Sequence, residues 1–281
     1  MKDDEQPGVL IKTLASGSSG NATYIRFGDR RILVDAGISK RKIDQGLALV
    51  GEGVTDLDAV MLTHAHSDHI KGLARLLESD FRGELVATRG TAREVGKKLE
   101  REVGFTAVEA GFLSSFGAVE VMPFRVAHDA AEPVGYRFDY GGFSLGYATD
   151  MGRVNREVSE VIEGCRVLLV EANYDEEMLR WGPYPKFLKR RIAGAGGHLS
   201  NAQSRALVKA VKHKGLEQVV LIHLSEKNNQ VEKAVEAVSE VLPRAVKVVA
   251  APRKKAGESL RFSVGETPGM GGSGGSQLAL F

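Results

Sequence analysis

The chain has 281 residues, 43% of them hydrophobic and 26% charged, with a net charge of +2. This excludes a disordered or fibrous chain, suits one large domain or two closely packed lobes, and is too weak a charge to establish a polyanion partner by itself. No apolar run is long enough to span a membrane, residues 1–7 are polar rather than leader-like, and the single Cys165 rules out an intrachain disulfide, so a cytoplasmic location and no membrane contact are expected.

In chain order, residues 9–14, 22–27 and 31–35 read as strands, with Ser16-Gly-Ser-Ser-Gly-Asn21 as a tight small-residue loop. Residues 58–63 read as a buried strand and 70–77 as an amphipathic helix. Residues 84–88 form a short expected strand and 91–103 a charged helix. Strands follow at 118–126, 134–140 and 143–149. Cys165 opens the apolar run into a strand at 167–171 and reads as a small core residue. The stretch 176–192 is helix-rich. Ser200-Asn-Ala-Gln203 has capping-box spacing and starts a helix through Lys212. His213, between two lysines, reads as solvated. A strand at 219–224, a helix at 230–242 and a strand at 246–250 complete the order. Two successions of strands with helices predict an α/β protein: two sheets face to face, helices outside.

The most informative string is Thr63-His-Ala-His-Ser-Asp-His-Ile70, between the strand expected over 58–63 and the helix expected over 70–77. Imidazole nitrogen and carboxylate oxygen are the donors that zinc, manganese and iron take at hydrolytic sites. His64 and His66, two apart, project to one side of an extended loop, while Asp68 and His69 can serve a second ion. His128 follows a predicted strand, and Asp150 and His223 stand at the ends of two others. Singly, His128 and His223 read equally well as satisfied core histidines. Together they complete two sets: His64, His66 and His128 for one metal, Asp68, His69 and His223 for the other, with Asp150 able to bridge.

This pattern resembles the metallo-β-lactamase superfamily in its two-metal hydrolase form. The resemblance implies a four-layer αββα sandwich with the site at one edge, and gives Asp35 a supporting role behind the metal loop. The strings Ser16–Asn21, Glu171-Ala-Asn-Tyr-Asp-Glu-Glu-Met-Leu179, Gly182-Pro-Tyr-Pro-Lys-Phe-Leu-Lys-Arg-Arg-Ile192, Gly197-His-Leu-Ser-Asn201 and His223-Leu-Ser-Glu-Lys-Asn-Asn229 resemble the YycJ/WalJ (VicX) group, over roughly residues 8–250. That resemblance implies a double-stranded DNA 5′→3′ exonuclease linked to mismatch repair, acting on duplex with a free end near the nucleoid. Two divalent ions, Mn2+ or Zn2+, would activate hydroxide for attack on phosphorus. Such ions, about 4 Å apart, stabilise both the entering and the leaving oxygen. Asp68 can ligate and orient or deprotonate the attacking water. His198, just before a capped helix, is expected to contact the scissile phosphate or protonate the leaving oxygen, with Ser200 and Asn201 as neighbouring donors.

Lys186, Lys189 and Arg190, with Arg191 beside them, share a predicted helical face and are expected to contact DNA phosphates. Arg205, Lys209 and Lys212 form a second stripe. Either stripe reads equally as a solvated face. Residues 265–281 are expected to be a flexible Gly/Ser tail behind a catalytic domain of residues 1–264. The tail ends in Gln277-Leu-Ala-Leu-Phe281, which resembles the peptide by which bacterial replication and repair proteins dock into the sliding clamp. Gln277, Leu278, Leu280 and Phe281 would be its anchors. Docking on the chain's own domain, or an engineered linker, remain open readings of the tail. The competing functions are an RNA-processing nuclease of the same fold, a small-molecule hydrolase, and a non-catalytic clamp-associated or regulatory adaptor.

Overall fold

Side chains alternate along each strand, and that alternation sorts the protein into four layers. The computed structural model describes residues 8–265. In β1 (Val9–Ala15), Val9 and Ile11 join the core between the sheets, whereas Leu10 and Leu14 face outward to helices. β2 (Ala22–Phe27) and β3 (Arg30–Val34) continue antiparallel. After α1 (Lys40–Ala48), β4 (Ala59–Met61) adds parallel to β3. The short α2 (Ser67–Ile70) and α3 (Leu73–Leu77) lead to β5 (Glu84–Ala87), and α4 (Arg89–Leu99) to β6 (Thr106–Ala107), both parallel additions.

The second sheet repeats the plan. β7 (Ser114–Phe116), β8 (Val119–Arg125), β9 (Val134–Tyr140) and β10 (Phe143–Ala148) form an antiparallel meander. α5 (Arg156–Ile162) then crosses to β11 (Val167–Glu171). The chain continues through α6 (Glu176–Trp181), α7 (Lys186–Ile192) and α8 (Asn201–Val211) to β12 (Gln218–Ile222). α9 (Val231–Ser239) precedes β13 (Lys247–Ala250), and β10 to β13 run parallel. β14 (Leu260–Phe262) returns to the first sheet, pairing antiparallel with β1 at Val9↔Phe262. The sheet orders are β14-β1-β2-β3-β4-β5-β6 and β13-β12-β11-β10-β9-β8-β7. Ile25, Phe27, Tyr136, Phe138, Leu145 and Leu169 fill the space between them. This is the expected αββα sandwich. Among the described residues no helix is long and apolar enough to cross a membrane.

Several expected boundaries shift for local reasons. The helix expected over 70–77 is two helices, because the Gly72 N–H leaves the helical ladder to donate to the Ala36 carbonyl at 2.8 Å. The helix expected over 91–103 ends at Leu99, with Glu100 in the left-handed region (φ 51°). Gly182-Pro-Tyr-Pro185 separates α6 from α7, since proline and the residue before it resist helical geometry. α8 starts as expected, with Ser200 and Gln203 in a reciprocal capping box. His213 is not simply solvated: its Nε2 lies 2.9 Å from the Cys165 carbonyl oxygen, tying the end of α8 to the start of the β11 segment. Cys165 is buried and free, and burial pushes its thiol up to about 12.

Candidate metal centre

β3, β4, β8, β10, β11 and β12 all end at one edge of the sandwich, and a polar residue follows or closes each of them. Ligand sites in α/β sheets form at this position, outside the carboxyl ends of strands. Asp35 (φ 61°), Asp150 (φ 54°) and His223 (φ 56°) turn through the left-handed region just past their strands. That conformation costs a residue with a Cβ about 1 kcal/mol and persists where surrounding structure imposes it.

Six of the seven histidines meet here. His64, His66 and His128 form one group of donor atoms, and Asp68, His69 and His223 a second. His66 Nδ1 and His128 Nε2 stand 3.2 Å apart, and His223 Nε2 stands 3.3 Å from Asp68 Oδ2. Asp150 reaches both groups: its Oδ2 is 3.1 Å from His69 Nε2, and its Oδ1 is 3.6 Å from His128 Nε2. Donors about 2.0–2.1 Å from one tetrahedral ion stand roughly 3.3 Å from each other. The spacings therefore match edges of coordination polyhedra.

An orphaned atom strengthens that fit. His64 is fully buried and its Nε2 has no hydrogen-bond partner, while Nδ1 lies 3.0 Å from Thr63 Oγ1. An uncompensated buried imidazole nitrogen is costly unless a cation meets it. Burial, then the neighbouring His69, holds the His64 ring well below its usual pKa, which keeps it a neutral donor. The other rings are oriented from behind, as ligating imidazoles usually are. His69 Nδ1 is 2.7 Å from Asp35 Oδ2, His128 Nδ1 is 3.0 Å from the Gly197 carbonyl oxygen, and His223 Nδ1 is 3.1 Å from Glu171 Oε1.

Charge divides the two groups. Burial lowers His66 and His128 as it lowers His64. In the second group burial is outweighed: Asp35, Asp150 and Asp68 push His69 well above its usual value, and Asp150 with Asp68 and Glu171 pushes His223 up to about 10. Burial also opposes ionisation of Asp68 and Asp150. Nevertheless His69 and His223 hold Asp68 down to about 2, and His223 and His69 hold Asp150 well below the usual carboxylate range.

Asp35 stands where the sequence suggested, behind the metal loop, accepting from Thr63 N at 2.9 Å as well as facing His69. The sequence reading gave no role to Glu171. It is fully buried, and its Oε1 lies 2.7 Å from His198 Nδ1 and 3.1 Å from His223 Nδ1. Its Oε2 accepts from Met151 N at 2.8 Å and Leu199 N at 3.2 Å. Burial works against this carboxylate, but His198 and His223 hold it below its usual range. With both oxygens engaged, Glu171 is a brace between His198 and His223. The available signal was a glutamate closing an otherwise apolar strand, since a fully buried glutamate is rare unless paired.

The small-residue loop also gains a role. Asn21 N donates to the Asp68 carbonyl at 2.8 Å, and Ser16 Oγ accepts from His223 N at 2.7 Å. The loop thus ties Asp68 to His223 within the second group. Gly37 has no room for a side chain, because the Asp68 carbonyl occupies the place of its Cβ.

A cleft of about 380 Å³ opens over the donors, lined by His66, Asp68, His128, Asp150 and His198, with Lys98, Leu188, Arg191 and Ile192 on its outer wall. Several expected nucleic-acid contacts are placed elsewhere. Ser200 Oγ serves the capping box and Glu176, and Asn201 is buried in a reciprocal amide pair with Asn229, so neither offers a donor to the cleft. Lys189 Nζ donates to the Arg180 carbonyl at 2.8 Å, and Lys186 and Arg190 are exposed outside the lining. The helical phase turns Leu188, Arg191 and Ile192 inward instead. In the second basic stripe, Arg205 pairs with Glu240 at 3.0 Å and Lys212 donates to the Val241 carbonyl. Gln277, Leu278, Leu280 and Phe281 lie outside the described residues.

Four layers and this donor set define the class, a metal-dependent hydrolase of the αββα sandwich type. The model of the beta-lactamase superfamily domain matches residues 30–224. Exodeoxyribonuclease YycJ of Bacillus anthracis is 35% identical over 241 residues, 84% of this chain and 89% of its own length. Exodeoxyribonuclease WalJ of Streptococcus pneumoniae is 38% identical over 227 residues, 79% and 84% of the two chains. Among solved structures, the metallo-beta-lactamase fold protein YhfI of Bacillus subtilis shares the fold, with a TM-score of 0.69 over 91% of this chain and 100% of its own, at 16% identity. The chain belongs to the beta-lactamase superfamily and, within it, to the group of the YycJ and WalJ proteins.

Proposed function

We propose that this chain is a two-metal phosphodiesterase that degrades double-stranded DNA from an end, 5′→3′, in DNA repair, with mismatch repair as its setting. One observation carries the reading: a buried cage of imidazole and carboxylate donors opens on a cleft whose outer wall holds Lys98 and Arg191. Relatives named exodeoxyribonucleases, matched over most of the chain, support DNA as the substrate.

His64, His66 and His128 would hold one divalent ion and Asp68, His69 and His223 the other, with Asp150 shared; manganese and zinc both suit these donors. When bound, the ions supply charge against the phosphoryl oxygens and Lewis acidity toward water. The protein's own groups do the rest. Lys98, whose Nζ also donates to the Ala65 carbonyl at 2.7 Å, and Arg191, 3.4 Å from Asp129, supply positive charge to neighbouring phosphates. Asp68, partly exposed in the cleft, accepts a hydrogen bond from the incoming water, orients it and takes the proton it loses as it attacks phosphorus. As the new oxygen–phosphorus bond forms and the bond to the leaving sugar oxygen breaks, that oxygen takes a proton from His198 Nε2. The opposite nitrogen, Nδ1, is held by Glu171.

Residues 1–264 form the catalytic unit, and Gln277-Leu-Ala-Leu-Phe281 would dock it on a bacterial sliding clamp. End-labelled linear duplex, single-stranded DNA and RNA, incubated with Mn2+ or Zn2+ and a His66→Ala control, test this assignment. Duplex shortened progressively from its 5′ ends is expected; RNA cleaved in preference to DNA, or no metal-dependent cleavage, would overturn it. In the same panel, removing residues 277–281 should abolish clamp binding while free-DNA digestion continues.

A further inference from the structure

The α6–α7 segment, whose Leu188, Arg191 and Ile192 line the cleft, also carries two aromatic rings outside that lining which phosphate chemistry leaves without a role. α7 has no buried residue. Trp181, closing α6, is 78% exposed and Phe187, in the first turn of α7, is 73% exposed, the two highest values among the exposed large hydrophobic side chains of the described residues. Nothing in the domain core recruits them, and large rings left in water are unfavourable unless a partner covers them.

Their surroundings narrow the partner. From residue 180 to residue 197 the chain has five cations, Arg180, Lys186, Lys189, Arg190 and Arg191, and no aspartate or glutamate. The Arg180 guanidinium sits over the Trp181 ring, 5.1 Å from its centre. The segment is continuous with the catalytic wall: Leu188, Arg191 and Ile192 line the cleft, and the Ile192 carbonyl accepts from His198 N at 2.8 Å. Exposed rings set among cations, leading into a cleft built for phosphodiesters, match the chemistry of single-stranded nucleic acid. Bases stack on the rings while the backbone follows the cations.

We infer that Trp181 and Phe187 are a stacking platform for unpaired bases at the end of the strand whose backbone enters the metal cleft. The inference rests on the nuclease reading above and adds to it. One strand of a duplex reaches a buried metal pair only after its terminal bases leave the helix, and a platform beside the cleft holds those bases once they have unstacked.

Trp181 is the only tryptophan in the chain, so its fluorescence reports on the platform directly. The test titrates metal-loaded protein with a short single-stranded phosphorothioate oligonucleotide that resists cleavage, and with an abasic strand of equal length and charge. The base-bearing strand should quench Trp181 and bind about tenfold more tightly than the abasic strand. Phe187→Ala should erase most of that difference, and Phe187→Tyr should restore it, with melting temperatures checked to exclude misfolding. Equal affinity and no quenching for the two strands would overturn the platform. So would quenching that tracks protein concentration without any oligonucleotide, which would show the rings meeting a second copy of the chain. If wild-type protein cleaves no nucleic acid, the nuclease reading falls as well. Cleavage without base-dependent binding removes the platform alone.

Discussion

The metal rim and the α6–α7 arm share one cleft but are built on opposite principles. The rim is buried and fixed from behind: Asp35 braces His69, Glu171 braces His198 and His223, and Asn21 and Ser16 hold Asp68 and His223 of the second donor group. The arm's second helix buries nothing, and it is held by the Lys189 bond to the Arg180 carbonyl and the Ile192 bond to His198. Chemistry needs donors placed to within fractions of an ångström, which calls for interlocking partners. Holding a varied polymer calls for exposed rings and cations that adapt. Substitutions in the rim should therefore change metal content and turnover, and those in the arm should change substrate binding alone.

The largest effect should come from Asp150→Ala, since the Asp150 carboxylate reaches donor atoms of both groups. Hydrolysis should fall to the level of metal-stripped protein, with bound metal reduced in elemental analysis. Full metal content in this variant would break the shared-ligand assignment. Next, His198→Ala should slow turnover by about 100-fold or more with metal content unchanged, as expected for loss of a proton donor. Equal loss of metal and turnover would make His198 part of the cage instead. Glu171→Gln should weaken metal affinity or turnover by about 10–100-fold, the usual effect of removing a brace behind ligands. Arg191→Ala and Lys98→Ala should each raise KM for DNA about tenfold at low salt, leave metal content intact and flatten the salt dependence by about one phosphate contact. The smallest effect should be that of Phe187→Ala on folding: a stability change within about 0.5 kcal/mol by urea denaturation. A larger loss would mean that the arm is part of the fold's support, and the contrast with the rim would weaken.

How much of this could be read from sequence depends on how local each signal is. His64, His66, Asp68 and His69 crowd into six positions, so their chemistry shows before any fold is known. His128, Asp150 and His223 were visible as polar residues ending apolar strands, because one edge gathers all strand ends of one direction. Glu171 sends the same signal from β11, but a single glutamate has no spacing to mark it. Its role depends on His198 and His223 arriving from 27 and 52 residues away. The choice between Lys189 and Arg191 required the rotational phase of α7 against the cleft, which a short helix with no fully buried residue does not encode. β6, β7 and β14 were missed because strands of two or three residues at or near sheet edges draw their stability from neighbours rather than from a pattern of their own.

The pairing of β14 with β1 sets how the molecule can be held. Val9 lies opposite Phe262 at the end of β1 away from the metals, since β1 runs toward the metal edge and leaves it at Ser16. Seven residues of strand, about 23 Å, separate that exit from the rim. Both ends of the described chain therefore leave side by side from the rear of the molecule. A tether fixed at either end of the described residues, at Gly8 or Gly265, would present the cleft outward, like a tool gripped by its handle.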